Sequence, residues 1–375
     1  MPVKIFHTAD VHIGMKFTRG YDPGVRDGLI EARIQTLRSM IESANTRNCD
    51  LFVVAGDLFN SGKPLKGDIL KVTDILGGFE GKVVLVLPGN HDHLQSDGDD
   101  LWTKFHDVMK ENTKLLSQPQ TYDLKPYDLD MIVYAAPCRA KHSKLNAIRW
   151  IKETPKDPKT KFHVGIAHGS MEDLSPDFNQ DYYPMTHGEL LAAGMDLWLM
   201  GHTHNRYPDS ESGHEGKIFF PSTPEPDGFD CTHGGYAWFI ELNEDKSLSY
   251  QSVPTGRYEF LTIEKDVFTD QDVESLRSFF KTLDSKKHLM KLKLKGRVSG
   301  KIHDERDTLL KELEKQVLYL EPDLSDLLRQ ITIDDINREF TEGSFPYRFL
   351  KELALDEKSP IALQMAYNLI RDIKP

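Results

Sequence analysis

Apolar positions along the first two thirds of the chain follow two rhythms. Short runs rich in Val, Ile and Leu recur at residues 3–8, 51–55, 83–87, 131–135, 163–167, 197–200, 218–220, 236–242 and 248–253. Continuous runs of this length predict strands, mostly buried on both faces. Between the first two, Leu29, Ile30, Ile34, Leu37, Met40, Ile41 and Ala44 recur at three-to-four-residue spacing. They predict a helix over residues 27–45 whose single apolar stripe lies on a sheet. Thr186 followed by Glu189 has the form of a capping box and predicts a short helix before the run at 197–200. Strands alternating with helices predict an α/β domain.

Around Pro254, Thr255 and Gly256 the rhythm changes, as it does at a linker. The remainder is more charged, with a helical pattern at 273–283, a strand pattern at 288–298, a helical pattern at 304–317 and two more in the tail, separated near Pro360. The predicted organisation is a large domain over residues 1–254, a smaller α+β capping domain over 257–340 and terminal helices over 341–375.

Composition narrows the setting. A chain of 375 residues, 39% hydrophobic and 28% charged, can bury one large core and a smaller one. No run of about 18 or more apolar residues predicts a membrane span, and Met1 leads into an apolar run without the basic segment of a signal peptide. Cys49, Cys138 and Cys231 are widely spaced and odd in number, which fits neither a disulfide framework nor a cysteine metal site. A soluble, cytoplasmic protein with no membrane partner is expected. The net charge of -12 argues against polyanion binding by the whole surface, but a local basic stripe or bound divalent cations could still accept phosphates.

Candidate chemistry sits at the ends of the apolar runs. In order these are Asp10-Val11-His12, Gly56-Asp57, Gly89-Asn90-His91-Asp92, Ala167-His168-Gly169 and Gly201-His202-Thr203-His204. Loops at the carboxyl ends of strands gather along one rim of an α/β sheet, so residues distant in sequence converge there. Carboxylate oxygens and imidazole nitrogens in such numbers suit divalent metal ions with a position left open. Asp10, His12, Asp57 and His204 are expected to hold one ion, and Asn90, His168, His202 and the other oxygen of Asp57 a second. A bridging Asp57 sets the two about 3.5 to 4 Å apart. The Asp-x-His and His-x-His spacings suit an extended segment, in which alternate residues point the same way. A lone Asp-x-His is mostly a surface accident and Gly-Asp is weaker still. The ordered set at successive strand ends is not.

This ordered set resembles the calcineurin-like metallophosphoesterase superfamily over roughly residues 3 to 254. The resemblance implies a two-sheet sandwich flanked by helices, the ligand assignment above, and attack on phosphorus by water activated at the metals. His91 is expected to face the substrate phosphate, stabilising charge or protonating the leaving oxygen, with Asp92 orienting it by a hydrogen bond. A purely structural Asp92 is the alternative. His7, His106, His142 and His288 read as ordinary core or surface residues.

Within the superfamily, residues 6–14 (FHTADVHIG), 55–60 (AGDLFN) and 88–92 (PGNHD) resemble the SbcD-type nucleases of double-strand-break repair. The resemblance implies DNA as substrate, manganese as the metal with iron or zinc as alternatives, and a coiled-coil ATPase of the SbcC type as partner. Homodimerisation is common in those nucleases, but no segment here signals it. One departure is Asn60, where many of them carry a second catalytic histidine. Asparagine can bond phosphate but cannot supply a proton as imidazolium does.

Two features bear on partners. Lys291, Lys293, Lys295 and Arg297 alternate with mostly apolar residues, so a strand presents four cations on one face, neighbours about 6.6 Å apart. Such a stripe could track a phosphate backbone, and its plainer reading is a solvated outer face. In the tail, Phe345, Phe349, Leu350 and Leu353 form one apolar stripe and Ile361, Met365, Leu369 and Ile370 another. These either dock an ATPase, as the resemblance implies, or pack on their own domain. No Gly-Lys-Ser/Thr loop is present, so ATP use would need a partner. Two other functions share the motifs: a phosphatase or phosphodiesterase of small nucleotides, and a noncatalytic scaffold keeping the metal site for stability.

Overall fold

The computed structural model describes residues 2–95, 101–175, 177, 179–209, 216–355 and 360–373. The chain divides into two compact units, Met1–Phe260 and Leu261–Pro375. That boundary falls a few residues beyond the junction at Pro254, because β13 (Glu259–Asp266) begins in one unit and runs on into the other.

In the first unit, strands β1 (Val3–Thr8), β2 (Leu51–Ala55), β3 (Val83–Leu87) and β4 (Thr113–Leu115) run parallel. A second set comprises β5 (Thr121–Asp123), β6 (Met131–Ala136), β7 (Phe162–His168), β8 (Leu197–Gly201), β9 (Arg206–Tyr207) and β10 (Ile218–Pro221). Then β11 (Tyr236–Leu242) and β12 (Leu248–Pro254) return to the first sheet. The strand orders are β12-β11-β1-β2-β3-β4 and β5-β6-β7-β8-β10-β9. Val3, Ile5, Val53, Leu85, Val133, Ile166 and Leu199 meet between the sheets. On the outer face of the first sheet, Phe6, Phe52 and Val84 pack against helices α1 (Pro23–Thr46), α2 (Lys66–Gly77) and α3 (Leu101–Val108). On the second, Tyr134, Trp198 and Phe220 cover α4 (Arg149–Lys152) and α5 (His187–Ala192). The result is the expected two-sheet sandwich flanked by helices. Its central strands read as unbroken apolar runs because both faces are covered, and the α5 capping box at Thr186 and Glu189 is present.

In the second unit, β13 joins β14 (His288–Val298) and β15 (Tyr319–Arg329) in one sheet, and β14 and β15 run parallel through the crossover helix α7 (Gly300–Glu314). Leu292, Leu294 and Val298 face α7 and α6 (Asp270–Phe280). A separate cluster unites α8 (Ile333–Glu339), α9 (Phe345–Leu355) and α10 (Pro360–Ile373). So α8, inside the 257–340 segment, packs with the terminal helices.

The tail stripes divide between faces. Leu350 and Leu353 pack inward, whereas Phe345, Phe349, Met365 and Leu369 are exposed. Ile370 lies against the cluster, and the Ile361 side chain lies outside the described residues. Among the described residues, no helix is long and apolar enough to cross a membrane.

Candidate metal centre

All five motifs lie at the carboxyl ends of β1, β2, β3, β7 and β8, with His168 the last residue of its strand and the other donors in the loops that follow. The first two loops run side by side, tied by Asp10 N–H to Gly56 O (3.1 Å), His12 N–H to Asp57 O (2.9 Å) and Asn60 N–H to Ile13 O (2.9 Å). Asp10, His12, Asp57 and His202 have φ of 54°, 51°, 52° and 95°. The Asp-x-His segment is therefore not extended. It turns through left-handed backbone, a conformation costly for side-chain-bearing residues that persists where the surroundings over-determine it.

The glycines make the close approach feasible. Gly56 has φ +96°, and a Cβ there would sit 2.0 Å from His168 Nδ1. At Gly89 a Cβ would sit 2.2 Å from Asp57 Oδ1.

The donors form two adjoining sets. His12 Nε2 lies 3.4 Å from His204 Nε2 and 3.8 Å from Asp57 Oδ2, and His204 Nε2 lies 3.9 Å from Asp10 Oδ1. Beside them, His168 Nε2 is 3.4 Å from Asp57 Oδ2 and 2.9 Å from Asn90 Oδ1, which is 3.0 Å from His202 Nδ1. These are the two predicted groupings, with one correction. A single oxygen, Asp57 Oδ2, faces both sets, because Oδ1 accepts the His91 N–H at 2.8 Å.

The charges in this cluster call for a cation. Asp10 and Asp57 are buried, and among the described residues neither pairs with Lys or Arg. Burial, the largest influence, raises the Asp10 carboxyl, with His168 and His204 opposing it. Burial also works against the charge of Asp57, but His168, then His12 and His91, outweigh it and hold that carboxyl below its usual range. Burial keeps His12 neutral, its pKa well below normal, and lowers that of His202 to about 3. His168 gives its Nδ1 to the Ala55 carbonyl at 2.9 Å. A neutral His168 therefore turns an Nε2 lone pair toward Asp57 Oδ2, and only a proton or a metal ion reconciles these two acceptors. Although burial opposes protonation, the Asp57 carboxylate raises His168 to about 9. The donor set fits divalent metal.

His91 and Asp92 part company. A nitrogen of His91 lies within 4.8 Å of the donors of His12 and Asp57, so the ring is near enough to ligate as well as to meet a phosphate. Asp92 does not orient it. Its carboxylate accepts Phe59 N–H at 2.9 Å and Gly89 N–H at 2.7 Å, bracing one loop against the other. Burial, then the charge of Asp57, raises Asp92 to about 8. The group beside the His91 ring is the Asn60 carbonyl, 3.3 Å from Nδ1. Asn60 thus contributes main chain where a side-chain role was anticipated.

Sequence reasoning missed the outer support. Arg33, buried on α1, donates to the Val11 carbonyl at 2.8 Å, and Thr223 Oγ1 donates to the Asp10 carbonyl at 3.0 Å. Asp227 Oδ2 lies 3.5 Å from His204 Nδ1, and His233 Nε2 lies 2.6 Å from the His204 carbonyl. The available signal was the polar stretch 221–233 following the run at 218–220, one more strand end at the same rim. A cleft of about 460 Å³ opens here, lined by His91, Tyr182, His202, His204, Asp227 and His233.

The predicted basic stripe is an ion-pair ladder. Lys291 meets Glu321 at 3.5 Å, Lys293 meets Asp326 at 2.7 Å and Asp323 at 3.8 Å, and Lys295 meets Glu264. Arg297 has no carboxylate partner among the described residues.

Curated proteins to which the chain is similar include the following three. An uncharacterized metallophosphoesterase, YhaO of Bacillus subtilis, is 28% identical over 65% of this chain and 59% of its own length. The SbcD component of the nuclease SbcCD from Staphylococcus saprophyticus is 22% identical over 60% of this chain and 64% of its own. This chain therefore spans less than two thirds of either relative. The DNA double-strand break repair protein Mre11 of Archaeoglobus fulgidus is 25% identical over 98% of this chain and 85% of its own. Residues 3–206, which hold every donor named above, match the calcineurin-like phosphoesterase family, to which this chain belongs.

Proposed function

We propose that the protein is a metal-dependent DNA nuclease that hydrolyses phosphodiester bonds at two divalent metal ions. The observation that carries this reading is the convergence of Asp10, His12, Asp57 and His204 beside Asn90, His168 and His202, with Asp57 Oδ2 facing both sets. Manganese is the metal that the resemblance to SbcD-type nucleases implies, and the mixed oxygen and nitrogen donors accept iron and zinc as well. When bound, such ions lower the pKa of water and neutralise phosphate charge. The protein's own part is to hold the donors in strained loops, keep His12 and His202 unprotonated by burial, and seat His91 against the Asn60 carbonyl. With both ring nitrogens protonated, His91 would bond the Asn60 carbonyl through one N–H and give the other proton to the leaving oxygen.

DNA as substrate is supported by the similarity to the Archaeoglobus fulgidus Mre11 protein, which extends through the second unit. A coiled-coil ATPase partner is supported by the exposed Phe345, Phe349, Met365 and Leu369 of α9 and α10, since helix-borne apolar patches of this kind mark interaction sites. A small-nucleotide phosphodiesterase is the second reading, favoured by the ladder that neutralises Lys291, Lys293 and Lys295.

The test is to incubate purified protein and manganese with end-labelled single- and double-stranded DNA, nucleotides and a generic phosphodiester, with Asp57→Ala as the contamination control. Degradation of DNA by the wild type alone supports the nuclease. Hydrolysis confined to nucleotides or simple esters moves the assignment to the second reading.

A further inference from the structure

The loops after β6 and β7 carry groups that the metal centre does not use. Because these strands are adjacent and parallel, their following loops lie side by side. They are clipped together: Ser143 and Tyr182 form a bridge, Tyr183 N–H donates to the Ser143 carbonyl at 2.8 Å, and the buried Tyr183 hydroxyl accepts from the N–H groups of Arg139 and Ala140. The clip creates a row of rings leading away from the donors. His168 and His202 lie 5.4 Å apart between centroids, His202 and Tyr182 4.9 Å, and Tyr182 and His142 5.0 Å. These spacings are those of interacting aromatic pairs. Tyr182 is half-buried in the cleft wall, and His142, read from sequence as ordinary, is exposed at the outer end. The cations beside it differ in commitment. Lys144 meets Asp181 at 3.7 Å and Arg139 bonds the neutral Gln118, while Lys141 is exposed with no carboxylate partner among the described residues. Of the acids that line the cleft, Asp177 is engaged by Ser170 Oγ and the N–H groups of Asp181 and Tyr182.

We infer that His142 and Tyr182 form a base-stacking platform, on which a nucleotide of the substrate lays its base while its phosphate reaches toward the His202 end of the row. Aromatic faces at the end of a row bind bases without regard to sequence, and Arg139 and Lys141 supply charge for the backbone. A base can stack there only when it is out of a duplex, so the favoured ligand is a single strand or a frayed end. This rests on the reading of the substrate as nucleic acid, which it makes more specific.

The test is equilibrium binding of short oligothymidylate against an abasic strand of equal length, in EDTA so that nothing is cut. Both strands carry the same backbone charge, so the ratio of their dissociation constants isolates the base. The wild type is expected to prefer the base-bearing strand, and His142→Ala and Tyr182→Leu are each expected to lose roughly 5- to 150-fold of that preference. Tyr182→Phe, which keeps the ring, is expected to retain it. No base preference in the wild type, or a preference intact in both His142→Ala and Tyr182→Leu, overturns the inference. An equal fall for both strands also overturns it, because that is a structural effect. Cleavage of oligothymidylate with manganese is scored separately. A protein that prefers bases but leaves the strand uncut keeps the platform and loses the nuclease.

Discussion

Replacing Gly56 by alanine tests how closely the metal centre depends on backbone that only glycine can supply. The new methyl group would lie 2.0 Å from His168 Nδ1, whereas ordinary contacts begin at 3.4 Å, so the ring must retreat by well over an ångström. That movement breaks the His168 bond to the Ala55 carbonyl, worth about 1 kcal/mol. Alanine at φ +96° adds roughly 1–3 kcal/mol of backbone strain, and crowding of a packed site another 1–3 kcal/mol or so. A total near 3–7 kcal/mol is a large share of the 5–15 kcal/mol or so that holds a domain together. All four tryptophans, Trp102, Trp150, Trp198 and Trp238, lie in the first unit, so their fluorescence follows the unfolding of that unit in urea. Gly67→Ala, with nothing within 4 Å of its new methyl group, is the control and should be neutral or stabilising by up to about 1 kcal/mol. Competition with a chelator should also find manganese bound about 10- to 100-fold more weakly by Gly56→Ala, since His168 loses its orienting partner. Wild-type stability together with wild-type metal affinity in Gly56→Ala would refute the reasoning.

Three further outcomes follow from the site and its surroundings. Asp227→Asn removes the carboxylate beside His204 Nδ1 and should weaken manganese binding or turnover by about 10- to 100-fold, and chelator competition showing no change removes Asp227 from the site. Asp92→Asn sets an amide donor against the N–H of Phe59 or Gly89 and should cost about 1–3 kcal/mol in urea unfolding; an unshifted midpoint would mean the two loops need no such brace. If the second unit's cations are committed to their ladder, changing Lys291, Lys293 and Lys295 together to Gln should leave the salt dependence of DNA binding nearly as it was. A fall in slope of about 0.9 for each residue would instead mark them as phosphate contacts.

The central strands were legible because a strand covered on both faces must be apolar throughout, and the motifs stand out where those runs stop. The edges were not. β4, β5 and β9 are two or three residues long, too short to show a period. β15 contains Pro322, Glu321, Asp323 and Asp326 and reads as loop; its acidic side chains make sense only beside the lysines of β14. The candidate donors were legible for a similar reason: carboxylate, amide and imidazole groups at successive strand ends have few other uses. Ligand geometry was not, since left-handed backbone at Asp10 and His12 depends on hydrogen bonds to a loop more than forty residues away. Asp227, His233 and His142 escaped because loop residues show no periodicity, and only the strand end before 221–233 marked the first two. Of the two roles weighed for Asp92, the structural one holds, because adjacency to His91 in sequence says nothing about which way its carboxylate turns.

The place of β1 in its sheet sets the timing of the protein's maturation. Its strand partners are β2 on one side and β11 on the other, with Val3 opposite Leu242, and Asp10 takes bonds from His202 and Thr223. Closing so long a loop costs entropy before any contact repays it. A chain emerging from the ribosome therefore presents Asp10 and His12 well before His168, His202 and His204, which lie more than 150 residues later. The proposed donor set is complete only once His204 has emerged, and β1 gains its second strand partner only with β11.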